Sequence, residues 1–161
     1  MLKKMMIRIS NTVSGDEVEL CKVAVSAFLE ADRYLPPGAA TGGPPEHDSV
    51  EQHLAWINEC VYIKYEESGV IFGGCVAKVN DVVGFILGIF VAESKIRQGV
   101  GSALLQHLIV QYPSVSYWEL ETPDYLQRNH VFYEKSGFEL KSSSGVLPEL
   151  GYGFRTYGKS T

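Results

Sequence analysis

Two segments of the chain carry residue types at spacings that could do chemistry. The first runs Gly88-Ile89-Phe90-Val91-Ala92-Glu93-Ser94-Lys95-Ile96-Arg97-Gln98-Gly99-Val100-Gly101-Ser102-Ala103-Leu104-Leu105. An apolar, strand-like run passes through a short polar loop into a helix opened by glycine. Glycines let backbone N–H groups come close to a ligand, and a helix N-terminus adds positive potential. Together they suit an anion such as a pyrophosphate. Alone, Gly99-Val100-Gly101 reads first as a turn or packing device. The second segment is Arg128-Asn129-His130-Val131-Phe132-Tyr133-Glu134-Lys135-Ser136-Gly137-Phe138-Glu139, after the next strand. Alone, Tyr133 reads as a core aromatic beside Phe132 and Phe138. Between the segments, Glu119 and Glu121 stand two apart on a strand, so both face one side. Such a pair can take a proton from an amine or hold it as ammonium, or it can be a solvated edge pair.

Taken together, the two segments resemble motifs A and B of the GCN5-related N-acetyltransferase (GNAT) superfamily. The family pattern is a strand, Gln/Arg-x-x-Gly-x-Gly/Ala opening a helix, a strand, and a helix ending in Tyr-x-Lys-x-Gly-Phe. The close match covers residues 88–139, and the order of elements agrees along nearly the whole chain. The resemblance implies acetyl-coenzyme A (acetyl-CoA) as cosubstrate. Backbone groups of Ile89, Phe90 and Val91 would hold the pantetheine arm. Ile96, Arg97, Gln98, Gly99, Val100 and Gly101, with Ser102, would cradle the pyrophosphate, and Asn129 would touch the cofactor. The thioester would sit where the strands flanking the glycine-opened helix part. Tyr133 would be the general acid, protonating the departing thiolate, and an N–H of the Ile89 to Val91 strand would stabilise the oxyanion. The sequence departs from the pattern at its first position, where Ile96 stands and Arg97 follows one place late. Lys95, Arg97 and Gln98 are the candidates to make up that contact.

These groups need elements to position them. Residues 4–9 read as a first strand. A helix starts near Ser14, which with Glu17 has capping-box spacing, and Val18, Cys21, Val25, Phe28 and Leu29 mark its apolar stripe. Residues 33–48 are rich in proline and glycine and read as a loop, either a substrate-facing lid or a surface excursion. A second helix spans residues 49–59, with Val50, Leu54 and Ile57 inward. Strands follow at 61–65, 70–79 and 82–92, joined by tight turns. The third helix begins at Gly99 on a stripe of Val100, Ala103, Leu104, His107 and Leu108. A strand at 115–121, a helix at 124–135 and a closing hairpin at 138–142 and 152–157 complete the order. This predicts a mixed α/β fold, a twisted sheet of antiparallel and parallel strands flanked by four helices. Strands 82–92 and 115–121 should be parallel, joined through the third helix. No repeat or linker divides the chain, so one domain is expected over residues 1–161.

Composition sets the outer bounds. The chain has 161 residues, 45% hydrophobic and 20% charged, an ordinary globular balance. Lys and Arg number 14 against 19 Asp and Glu, a net charge of −5, which argues against broad nucleic-acid binding. The three cysteines are scattered, and the four histidines lack zinc-ligand spacing, so neither a disulfide framework nor a metal is expected. The lysines near the N-terminus precede no apolar leader, and no run is long enough to span a bilayer. A soluble cytoplasmic protein is expected. Gly153-Phe154-Arg155-Thr156-Tyr157-Gly158-Lys159-Ser160 formally satisfies the P-loop pattern, but no helix follows the lysine, so it reads as a strand. The expected function is an N-acetyltransferase acting on a primary amine of a small molecule or peptide. Tyr34, His47 and the surrounding loop would border the acceptor site, with Glu119 as base and Glu121 as a substrate contact. The negative charge favours a cationic acceptor. The family also allows a homodimer. The rival is a non-catalytic acyl-CoA-binding sensor or partner subunit on the same fold.

Overall fold

The computed structural model describes residues 5–161. The start of the expected first strand, at Lys4, and the remainder of the N-terminal leader reading lie outside them. Seven strands form one sheet: β1 (Ile7–Asn11), β2 (Val61–Glu67), β3 (Val70–Asn80), β4 (Val83–Val91), β5 (Tyr117–Pro123), β6 (Glu139–Ser143) and β7 (Phe154–Ser160). Their spatial order is β1-β2-β3-β4-β5-β7-β6. Four α-helices pack on it: α1 (Glu17–Ala31), α2 (Val50–Glu59), α3 (Val100–Gln111) and α4 (Gln127–Lys135). The fold is the mixed α/β arrangement expected. Among the described residues only β4 and β5 pair in parallel, with α3 as the crossover between them. No helix among the described residues is long and apolar enough to cross a membrane.

The sheet is apolar on both faces, so each face needs a cover. On one side, Leu104 and Leu108 of α3 and Tyr133 of α4 pack on Ile63, Cys75, Ile86, Trp118, Leu120 and Tyr157. On the other, Leu20, Ala24 and Ala27 of α1 pack on Tyr62, Val76 and Phe90. Here the helix face differs from the expected one. Val18, Val25 and Leu29 are exposed, while Leu20, Ala24, Ala27 and Ala31 are buried. The alanines carry too little hydrophobic signal to mark a stripe, yet their small size lets the helix lie close on the strands. The capping box also does not form. The helix starts at Asp16 with no side-chain cap, Asp16 accepts from the Val13 N–H at 2.9 Å, and Glu17 accepts from the Gly15 N–H at 2.6 Å. The inner face of α2 is set by His53, which is fully buried, while Val50, Leu54 and Ile57 are half-buried. The fourth helix starts later than expected, because residues 124–126 form a turn in which Asp124 accepts from the Gly153 N–H at 2.9 Å.

The loop between α1 and α2 is fastened down. It begins with a 3₁₀ turn, Asp32–Tyr34. The Gly42 N–H donates to Asp32 at 3.0 Å, and the Ala40 N–H donates to the Leu150 carbonyl at 2.9 Å. His53 Nε2 lies 2.7 Å from the His47 carbonyl, and its Nδ1 lies 2.8 Å from the Tyr62 hydroxyl. His47 itself packs edge-on to Phe28 at 4.8 Å. The P-loop-like segment is strand β7, and Lys159 Nζ donates to the Ser136 carbonyl at 2.8 Å, at the C-terminus of α4.

Two outcomes follow from this packing. Burial lowers the pKa of His53 and of His130. The unfolded chain therefore binds protons first, and stability is lost as pH falls below about 6.5. Tm should drop between pH 7.5 and 5.5, with a smaller drop in His53→Asn; a Tm flat over that range contradicts the placement of these rings. A Cβ on Gly84 would overlap the Trp118 ring, which is fully buried. Gly84→Ala should cost about 1–3 kcal/mol in urea unfolding.

Candidate active site

β4 and β5 pair only over residues 83–86 and 117–120. The register of β4 against β3 shifts between Val76 and Ala77, which leaves Leu87 as an extra residue on β4. Such a bulge bends a strand and ends its pairing on one side. Past it, β4 continues to Val91 with no strand on its β5 side. Backbone N–H and C=O groups pointing into that gap have no ladder partner, a condition that a buried backbone does not tolerate without a ligand or water.

The gap opens into a cavity of about 590 Å³. Ile89, Phe90 and Val91 form one wall. Lys95, Ile96, Arg97, Gly99, Val100, Gly101 and Ser102 form the second. Leu126, Arg128, Asn129, Phe132 and Tyr133 of the α4 region form the third, and Ala27, Phe28 and Ala31 of α1 close the fourth side. The loop into α3 is built for close approach. Arg97 takes φ +65° and Gly99 φ +82°, a left-handed geometry that lets N–H groups converge. Among the described residues, the N–H groups of Gly99, Val100, Gly101 and Ser102 make no backbone hydrogen bond. A Cβ on Gly101 would lie 3.3 Å from Phe132, so glycine there keeps α3 and α4 close without filling the space between them. The structure thus offers an apolar slot next to a cluster of free N–H groups, the donor set that fits a chain ending in phosphates.

The expected site residues fall as follows. Ile89, Phe90, Val91, Ile96, Arg97, Gly99, Val100, Gly101, Ser102, Asn129 and Tyr133 all border the cavity, and Gln98 does not. Gln98 donates to the Ser94 carbonyl at 2.9 Å, pinning the loop. Asn129 donates to the Thr122 hydroxyl at 3.2 Å, tying α4 to β5. Tyr133 is buried, and burial raises its phenol pKa, which keeps the hydroxyl protonated. Glu119 and Glu121 do not border the cavity. Trp118 and Leu120, between and before them, pack on the α3 side, so the two carboxylates lie on the opposite sheet face. There Glu119 sits beside Phe85, half-buried, and Glu121 is exposed. Tyr34 is half exposed, and its ring lies under the Arg128 guanidinium at 5.1 Å.

Lys95, a candidate for the contact that Ile96 lacks, borders the cavity, and so do groups to which the sequence assigns no site role. Lys95 pairs with Glu67 at 2.6 Å and lies over the Phe72 ring, so its charge is already partnered. Arg128 makes a two-pronged contact with Glu30 of α1, at 3.0 and 2.5 Å. Phe28, on the expected stripe of α1, and Ala31, outside it, build the α1 wall. Cys75 is buried among apolar neighbours and its thiol is pushed up to about 12, which makes it a packing residue.

The architecture recurs in solved structures. Ribosomal-protein-S18-alanine N-acetyltransferase from Escherichia coli superposes with a TM-score of 0.76 over 96% of this chain and 94% of that one, at 18% identity. The PaiA N-acetyltransferase of Thermoplasma acidophilum, solved in complex with coenzyme A, gives 0.73 over 97% and 99%, at 14% identity. NAA60 of Arabidopsis thaliana, solved with a bisubstrate analogue, gives 0.71 over 96% and 98%, at 12% identity. Likeness at these identities shows the shared fold. No curated protein matches the sequence. The profile of the acetyltransferase (GNAT) family matches residues 28–138, a span that runs from the α1 wall of the cavity to the end of the Tyr133 motif. The chain therefore belongs to the GNAT acetyltransferase family.

Proposed function

We propose that this protein is a cytoplasmic N-acetyltransferase that binds acetyl-CoA in the cavity and delivers its acetyl group to a primary amine by direct attack. One observation carries the reading. The unpaired edge of β4, the free N–H groups at the start of α3 and the buried Tyr133 all border the same slot. Acetyl-CoA supplies the activated acetyl group as a thioester.

The residues then divide the work. The 96–102 loop takes the pyrophosphate through backbone donors, with Arg97 adding charge from an exposed position. The absence of a side-chain donor at Ile96 matters less where four N–H groups are free. Backbone groups of Ile89 to Val91 hold the pantetheine arm as a neighbouring strand would. An N–H on this edge donates to the acetyl oxygen as negative charge develops there. Tyr133 stays protonated and gives its proton to the departing sulfur. The acceptor amine approaches from the opposite sheet face, where Phe85 and Leu87 are exposed beside Glu119 and Glu121. Glu119 takes the amine proton through water, and Glu121 draws a cationic acceptor in. The negative overall charge favours the same class of acceptor.

Two variants test this. Tyr133→Phe should lower turnover of an acetylated amine about a hundredfold or more while acetyl-CoA affinity is kept. Full turnover in that variant removes the general-acid role, and binding without turnover in the native protein across an amine panel favours a non-catalytic binder. Gly101→Val should abolish the Tm rise that acetyl-CoA gives the native protein, a stabilisation of about 2.7 kcal/mol at a hundred times Kd. A persisting rise places the ligand elsewhere.

A further inference from the structure

Glu30 and Arg128 each sit where a helix disfavours them. Glu30 lies in the last turn of α1, at the negative end of that helix dipole, and Arg128 is the second residue of α4, at the positive end of its own. Glu30 is also buried, with Ala27 and Ala31 on the same helical face. A carboxylate in that setting needs a partner, and the fork of Arg128 reaches both of its oxygens. The guanidinium holds the Glu30 carboxyl below the usual carboxylate range. A part-buried pair of this kind adds little stability over apolar residues of similar size, so stability alone does not account for its presence.

Its position does. α1 and α4 approach the cavity from two sides, and among the described residues this is the one ion pair that joins them. Tyr34, just after α1, adds its ring beneath the same guanidinium. Arg128 immediately precedes Asn129 and stands little more than a turn before Tyr133, so where it is held determines where those two side chains stand. Glu30 does not itself border the cavity, whereas Arg128 does.

We propose that the Glu30–Arg128 pair is a positioning strap, which fixes the first turn of α4 against the last turn of α1 so that the cavity keeps the width acetyl-CoA requires. The strap rests on the acetyl-CoA reading above. Glu30 then acts only through Arg128 and is a positioning residue.

Calorimetric titration with acetyl-CoA tests it, with unliganded Tm measured in parallel. Glu30→Gln keeps the shape and removes the charge. The double variant Glu30→Met, Arg128→Met removes both charges and leaves neither unpaired. Arg128→Lys keeps the charge and loses the fork. The double variant is expected to melt within a few degrees of the native protein yet bind acetyl-CoA about tenfold or more weakly. Glu30→Gln and Arg128→Lys should weaken binding in the same direction. Native affinity in the double variant overturns the strap. If the double variant does not fold, native affinity in Glu30→Gln and Arg128→Lys does so instead. A native protein that binds no acetyl-CoA overturns the cofactor reading and the strap with it, which separates the two failures.

Discussion

The hydrogen bonds between β4 and β5 stop after Ile86 and Leu120, and the bulge at Leu87 turns the two strands apart. Every other feature of the site depends on that divergence. A continuous ladder would bury the β4 edge and leave no slot between α3 and α4. Once the strands part, residues 87–91 carry backbone groups that need partners, and a free N–H or C=O in a dry place costs more than a normal hydrogen bond gains. The unpaired edge is therefore a ready template for a ligand that carries its own amides. The α3 N-terminus, opened by Gly99 and kept narrow by Gly101, repeats the principle at the far end of the slot with donors only.

The two faces of the sheet contribute differently. The α3 and α4 side holds a dense aromatic core of Trp118, Tyr133, Phe138 and Tyr157. Tyr133 is buried among these rings and borders the cavity. The α1 and α2 side is thinner. Alanines bring α1 close, and beyond β4 the sheet surface stays open around Phe85, Leu87 and Glu119. The loop after α1 is held to this edge through His47, His53 and the contact between Ala40 and Leu150. An open face bordered by fastened loops suits an acceptor that enters a formed site rather than one that must order a lid.

Much of this was legible in the sequence, for identifiable reasons. The order of strands and helices follows from periodicity and turn chemistry, and the parallel β4–α3–β5 unit follows from the length of its crossover. The glycine-opened start of α3 was legible only in combination with the Tyr133 motif downstream, since Gly99-Val100-Gly101 alone serves equally as a turn or packing device. The face of α1 was not, because Ala24, Ala27 and Ala31 do not stand out against Val18, Val25 and Leu29, whose larger side chains point to solvent. Nor was the role of Gln98, since a loop side chain can turn to a ligand or to its own backbone and only coordinates decide which. Strand alternation puts Glu119 and Glu121 on one face, yet the pattern alone does not say which face, and the structure puts them across the sheet from the cavity. Long-range pairs such as Glu30 with Arg128 leave no local trace except charges at the wrong ends of their helices.

The central claim is that backbone groups, rather than charged side chains, make this site. Hydrogen–deuterium exchange with and without saturating acetyl-CoA addresses it directly, because it reads the amides themselves. The account predicts that protection rises at Gly99 to Ser102 and along residues 87–91, with little change on β1 and β2. Binding that leaves those amides exchanging at their unliganded rates would contradict it.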